Sequence, residues 1–138
     1  MELFIASEGF NQKAYEKLKD KKIKKVFYSS KNKAVADQFH KQHMTHPDIE
    51  EVDLGPTADV QELVNSLNKG GKHSDFDNSL IILETSDELS MSIAQRIVIG
   101  LAEPTILGDE VSLKPDQVIS LEFNGSQVGL HRGNLRQE

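Results

Sequence analysis

The chain has 138 residues, of which 37% are hydrophobic and 28% are charged, and its formal net charge at pH 7 is −6. This length and composition predict a single globular domain, residues 1–138, and the negative charge argues against nucleic acid or an anionic membrane as the partner. The sequence contains no cysteine, which excludes disulfides, thiolate catalysis and Cys-ligated zinc. No apolar run approaches the ~18 residues of a membrane span. The N-terminal run is too short for a signal peptide and lacks its basic leader, so a cytoplasmic location is expected.

Short apolar runs alternate with amphipathic segments along most of the chain. In order, they predict strand Met1–Ala6, a helix after the N-cap Asn11, strand Ile23–Ser30, helix Lys31–Met44, strand Glu50–Leu54, a helix that begins after the N-cap Thr57 and stops at Gly70-Gly71, strand Ser79–Leu83, helix Leu89–Leu101, and a hairpin of Val118–Phe123 with Val128–His131. The hairpin is indicated by Asn124-Gly125, because this pair tolerates the left-handed conformation that two-residue hairpin turns require. Strands that alternate with helices predict an α/β three-layer sandwich with a mostly parallel sheet and a C-terminal hairpin.

The carboxyl ends of the predicted strands locate a candidate site. In open α/β sheets, ligands bind in the crevice outside these ends. Ser7 and Glu8 follow the first strand, and Lys33 lies in the corresponding turn after the second. We therefore expect these three side chains to line any site that the chain has.

Five segments together carry a family resemblance: MELFIASEG, VFYSSKNKAVADQF, DLGPTADVQELVNSL, LIILETSDELSMSIAQRIVIGL and LKPDQVISLEF. In this order they resemble the histidine phosphatase superfamily, in particular its small bacterial phosphohistidine phosphatases (SixA-like), over nearly the whole chain. The resemblance lies in spacing and hydrophobic pattern rather than in signature residues. It implies the phosphoglycerate mutase-like fold of that superfamily.

The resemblance also implies that the catalytic positions are degenerate. In the family, a histidine after the first strand is phosphorylated beside an arginine, and a second arginine and a second histidine bind the phosphoryl group. At the matching positions this chain has Ser7 for the first arginine, Glu8 for the nucleophile, Lys33 for the second arginine and Thr85 for the second histidine. None of the four positions keeps the family's residue.

The loss of these residues predicts the loss of catalysis. Phosphoryl transfer depends on cationic groups that stabilise the charge on the equatorial oxygens. A lysine supplies a point charge without the forked geometry of arginine, and Glu8 places a carboxylate where the dianion must bind. We therefore expect a non-enzymatic binding or regulatory module. Two alternatives stay open: an active phosphohistidine or phosphoprotein phosphatase with an atypical site, and a plain protein-interaction module with an unused cleft.

The expected partner is a protein or a small anionic ligand, with no cofactor and no metal. The candidate ligand-binding side chains are those with a hydroxyl or ammonium group at the strand ends: Ser7, Ser29, Lys33, Thr85 and Ser86.

Two further clusters have a functional and a structural interpretation. The histidines near the end of the second helix have one functional interpretation: His40 and His43 bind a metal ion, and Asp48 completes the site. Exposed histidines, His46 included, that complement the helix dipole are the favoured reading. The lysines of Lys17–Lys25 are read as a solvated, charged helix end in preference to a contact surface for an acidic partner or nucleic acid.

Overall fold

The most apolar runs of the sequence form neighbouring central strands of one sheet. The computed structural model describes residues 2–55, 59–67, 78–101, 112–124 and 127–134. Its elements in chain order are β1 Glu2–Ala6, α1 Gln12–Leu18, β2 Lys25–Tyr28, α2 Lys33–Gln42, β3 Asp48–Glu51, α3 Gln61–Leu67, β4 Ser79–Ile82, α4 Leu89–Leu101, β5 Val118–Asn124 and β6 Gln127–Asn134. The strand order in the sheet is β3-β2-β4-β1-β5-β6.

Strand direction confirms the predicted sheet type. Strands β1 to β4 run parallel to one another, and β5 is antiparallel to both of its neighbours, β1 and β6. The predicted α/β architecture, the mostly parallel sheet and the antiparallel C-terminal strand pair are therefore confirmed. The second residue of the predicted Asn124-Gly125 turn, the predicted N-cap Thr57 and the predicted helix stop Gly70-Gly71 lie outside the described residues.

Successive residues of the central strands face opposite layers, as the strand period of two requires. Leu3 and Ile5 belong to a core cluster with residues of α3 and α4, whereas Phe4 and Ala6 belong to a second cluster with residues of α1 and α2. The described helices thus cover both faces of the sheet, α1 and α2 on one face and α3 and α4 on the other. None of these helices combines the length and the apolar character needed to cross a membrane.

Several element boundaries differ from the sequence prediction, and two of these differences matter for the strand ends. β3 covers Asp48–Glu51 rather than Glu50–Leu54, because the chain leaves the sheet early and Leu54 turns into the core, where it is fully buried. The second helix begins at Lys33 rather than Lys31, because Ser30–Asn32 forms a 3₁₀ turn. Both differences change which side chains reach the strand ends.

Helices α3 and α4 approach each other closely at Gly100. A Cβ atom added to Gly100 would lie 2.7 Å from Cγ2 and 3.1 Å from Cγ1 of Val64. Carbon atoms pack at about 3.5–4.0 Å, so only a residue without a side chain fits this crossing.

We expect Gly100→Ala to destabilise the protein although alanine is the better helix former. Overpacking costs about 1–3 kcal/mol, which exceeds or offsets the propensity gain of about 1 kcal/mol. In a Val64→Ala background the clash disappears, and the same substitution should become stabilising. Urea unfolding of the four proteins of this cycle measures the coupling between the two positions. An equal effect of Gly100→Ala in both backgrounds would contradict the close approach.

Candidate functional site

The register of the sheet brings three strand ends to one level. β4 lies between β1 and β2, and both Ala6 and Tyr28 pair with Ile82. The Leu83 amide continues the pattern by donating to the Ala6 carbonyl oxygen at 2.8 Å. The residues that follow β1, β2 and β4 therefore leave the sheet side by side, and we call this region the carboxyl edge.

Glu8, at the position that the resemblance gives to the nucleophile, forms an ion pair. Its Oε1 lies 2.8 Å from Nζ of Lys31, in the turn after β2. Hydrogen bonding to Glu8 and attraction by its charge raise the pKa of Lys31, and the more distant Glu84 adds to the attraction. The Lys31 side chain is 56% exposed, so solvent screening keeps this pair weak. The ammonium group of Lys31 is therefore paired with Glu8 rather than with a ligand.

Lys33, the residue matched to the family's second arginine, has a different place. It is the first residue of α2, its side chain is exposed, and it forms no ion pair with any described residue. Lys31 rather than Lys33 pairs with Glu8 because the 3₁₀ turn Ser30–Asn32 directs Lys31 toward the end of β1. The sequence predicts a continuous helix from Lys31 and therefore does not predict this position of Lys31.

Three of the four hydroxyl groups proposed as anion ligands, those of Ser7, Ser29 and Thr85, are hydrogen-bonded within the protein. Ser7 is fully buried, and its Oγ donates to the Glu8 carbonyl oxygen at 3.2 Å. The Oγ1 of Thr85, which is 8% exposed, accepts from the Asp87 amide at 3.2 Å. Ser86 is half-buried in the same turn. Ser7 and Thr85 thus stabilise local turns at the carboxyl edge.

The turn at Thr85 also starts α4. The Asp87 carboxylate accepts from the Leu89 amide at 2.9 Å, as an N-capping group does. Hydrogen bonds from Thr85 and from the Leu89 amide hold the pKa of Asp87 below its ordinary value. The position matched to the family's second histidine therefore serves a helix cap in this chain.

A cleft beside β2 and β4 has a strongly acidic lining. Its volume is about 310 Å³, and its described lining residues are Ser29, Ser30, Glu51, Val52, Asp53, Glu62 and Glu84. We call it the acidic cleft, since these residues include four carboxylates and no basic group. Such a lining repels phosphate and attracts cations.

Glu84 is held in this cleft by two neighbours. Its Oε2 accepts a hydrogen bond of 2.7 Å from Oγ of Ser29, which is 1% exposed. A Cβ atom on Gly55 would lie 3.2 Å from the same oxygen, so the bare glycine backbone makes room for the carboxylate. Glu84 is not among the site residues predicted from the sequence, although a charged residue directly after the most apolar strand is a signal for one.

Asn32 ties the turn after β2 to the end of β4. Its side chain is 4% exposed, and Nδ2 donates to the carbonyl oxygen of Leu83 at 3.0 Å. This bond fixes the base of the carboxyl edge, because it joins the segment that carries Lys31 to the segment that carries Glu84. Sequence reasoning also missed this residue, because a buried asparagine within a polar run gives no pattern.

A second hollow, of about 160 Å³, lies between α1 and α2. Its lining is aromatic, aliphatic and amide: Phe10, Asn11, Gln12, Tyr15, Val35, Gln38, Phe39 and Gln42. No charged residue lines it among those described, so it offers no counter-charge to an ionic ligand.

The predicted surface position of His43 is wrong. Its ring is fully buried and stacks on Phe39 with 4.6 Å between the ring centroids. Its Nε2 lies 2.6 Å from the Lys21 carbonyl oxygen. His43 therefore belongs to the core packing of α2 and does not share an exposed face with His40. In the part of the chain that the structure describes, no group of three or more His, Asp or Glu side chains is placed to hold a metal ion.

Comparison with family models, with curated proteins and with solved structures found no match for this chain. What the carboxyl edge does is therefore inferred from its own residues.

We expect Asn32→Ala to lower the free energy of unfolding by about 1–3 kcal/mol, because the Leu83 carbonyl oxygen then loses a buried donor. Lys33→Ala is the matched control: it changes the adjacent residue, which is exposed, and should alter stability by about 0.5 kcal/mol or less. Urea unfolding followed by circular dichroism measures both. Equal effects of the two substitutions would show that the Asn32 bond does not hold the edge together.

Proposed function

We propose that this chain is a catalytically inactive, histidine-phosphatase-like protein that acts as a binding module, and that its partner is a protein with a basic side chain for the acidic cleft. The resemblance supplies the family, and the mostly parallel sheet with helices on both faces is compatible with it. The arrangement of charges at the carboxyl edge supports the loss of catalysis and the choice of a basic partner.

The observation that carries the proposal is the ion pair between Glu8 and Lys31 at the nucleophile position, 2.8 Å apart. Binding of a phosphoryl group requires cationic side chains that are not already paired with carboxylates. Here the ammonium of Lys31 is paired with a carboxylate, and Glu84 lies on the next strand end. Two like unit charges 4 Å apart repel by about 4 kcal/mol at an effective dielectric constant of about 20. Phosphate binding at this point is therefore disfavoured.

A carboxylate nucleophile does not rescue the phosphatase alternative. Enzymes that phosphorylate an aspartate or glutamate depend on a cation, usually a metal, to neutralise the phosphoryl oxygens. Within the described residues, no three-ligand group stands near Glu8 to provide one.

A basic protein partner fits the charges better than a small anionic ligand does, and better than an acidic partner that would contact the lysines of Lys17–Lys25. The lysine run of α1 and β2 already makes local contacts: Lys17 donates to the Asp116 carbonyl oxygen at 2.7 Å, Lys19 pairs with Glu16 at 2.9 Å, and Lys25 pairs with Glu50 at 3.1 Å. The acidic cleft, by contrast, is a concave surface with four carboxylates. An arginine or lysine side chain entering it would gain charge-assisted hydrogen bonds.

We expect no turnover of para-nitrophenyl phosphate or of a phosphohistidine peptide by the wild-type protein, and the same result for Glu8→Gln. The physical reason is the missing cationic site described above. Steady-state assays at protein concentrations up to the micromolar range measure this. Turnover that Glu8→Gln abolishes would establish the phosphatase alternative and overturn the proposal.

We expect the peptide acetyl-Gly-Arg-Gly-amide to cause saturable shifts of the Glu51, Asp53 and Glu84 amide signals in heteronuclear NMR spectra. Inorganic phosphate should shift none of them. The double variant Glu62→Gln/Glu84→Gln should bind the peptide roughly fivefold or more weakly, since two attractive charges are removed while the Ser29 hydrogen bond can persist.

Glu88→Gln, which removes an exposed acid outside the cleft, is the charge-matched control and should leave peptide binding unchanged. If phosphate instead shifts the amides of Ser7, Lys33 and Thr85, the carboxyl edge binds anions and the choice of a basic partner is wrong.

A further inference from the structure

Two histidines stand together at the end of α2, away from the acidic cleft. His40 lies in the last turn of α2, and His46 lies in the turn that follows it. Their ring centroids are 6.1 Å apart, with an angle of 62° between the ring planes. Both side chains are exposed, in contrast to the buried His43 between them in the sequence.

The same nitrogen of each ring is bonded to the backbone. Nδ1 of His40 lies 2.7 Å from the Pro47 carbonyl oxygen, and Nδ1 of His46 lies 3.0 Å from the carbonyl oxygen of His40. A carbonyl oxygen only accepts, so each neutral ring carries its hydrogen on Nδ1 and keeps a lone pair on Nε2. Metal-binding histidines are oriented in this way by a backbone acceptor on the other nitrogen.

The backbone fixes the position of His46. Its φ is 44°, in the left-handed region, and its amide donates to the His43 carbonyl oxygen at 3.0 Å. This turn folds the chain back over the end of α2, which is why a residue six positions after His40 meets it. The next residue, Pro47, is buried and supplies the oxygen that orients His40.

From this geometry we propose that His40 and His46 bind one divalent transition-metal ion through their Nε2 atoms. Imidazole pairs suit Zn²⁺, Ni²⁺ and Cu²⁺ rather than Mg²⁺ or Ca²⁺. A metal lies about 2.0–2.1 Å from each imidazole nitrogen, which places two rings on one ion with centroids roughly 5–6 Å apart. The observed separation of 6.1 Å is close to this range, and both side chains are exposed.

The coordination is completed by water. No third His, Asp or Glu side chain joins the pair within the described residues, so the site is open. His43 takes no part, because its ring is buried and its Nε2 already faces the Lys21 carbonyl oxygen. This proposal is independent of the acidic cleft and of the proposed function.

Isothermal titration of Zn²⁺ into the metal-free protein at pH 7.5 tests the site. We expect one ion to bind per chain, and binding to weaken at least tenfold in His40→Gln and in His46→Asn. Asparagine is chosen at position 46 because it tolerates the left-handed backbone. Lys41→Arg, which alters an exposed residue of the same helix turn, is the control and should bind as the wild type does.

NMR of the wild-type imidazole nitrogens provides a measurement that needs no variant. Zn²⁺ should shift the Nε2 signals of His40 and His46 and leave those of His43 in place. The proposal is overturned if the wild type shows no saturable binding, if either histidine variant binds as tightly as the wild type, or if another histidine carries the shifts. Melting curves in a chelator confirm that each variant is folded.

Discussion

The alignment of three parallel strand ends is the constraint on which the carboxyl edge depends. Ala6 and Tyr28 sit opposite the same residue of β4, Ile82, and the Leu83 amide bonds to Ala6. A shift of one residue in either pair would send every core side chain of that strand to the wrong layer. The two apolar clusters on the faces of the sheet therefore lock the register. In doing so they bring Glu8, Ser29 and Glu84 to one level, although these residues are far apart in sequence.

The charges at this edge are arranged for cations rather than anions. The strand ends and the loop after β3 contribute carboxylates, and the ammonium of Lys31 pairs with Glu8. The hydroxyl groups are committed as well, Ser7 to a carbonyl oxygen and Ser29 to Glu84. If the proposed kinship with histidine phosphatases holds, the scaffold carries the opposite electrostatic character to that of a phosphate site. This contrast is the basis for interpreting the chain as a binding module.

The sequence predicted the parts of the structure that follow from periodicity. Helix α4 has the bounds that its apolar spacing indicates, and Asn11 caps α1 by accepting from the Ala14 amide. β3 was misplaced because it lies at the border of the described sheet and carries acids, so its residues show no alternation of apolar and polar character. Lys31 was passed over for Lys33 because a 3₁₀ turn and an α-helix look alike in the sequence. The burial of His43 depends on the Lys21 carbonyl oxygen, twenty-two residues away, which no local pattern reports.

Among the strands that the structure describes, β3 forms one border of the sheet, and it is rich in acids. Asp48 and Glu51 are exposed there, and Glu50 is half-buried beside Lys25. An unpaired border is a template on which a second chain can add a strand, and charge on that border is a common protection against it. If two copies placed their β3 strands side by side, rows of negative charge would face each other across about 5 Å. The acidic residues of β3, which remove the apolar periodicity of a strand from its sequence, therefore also disfavour edge-to-edge aggregation at this border.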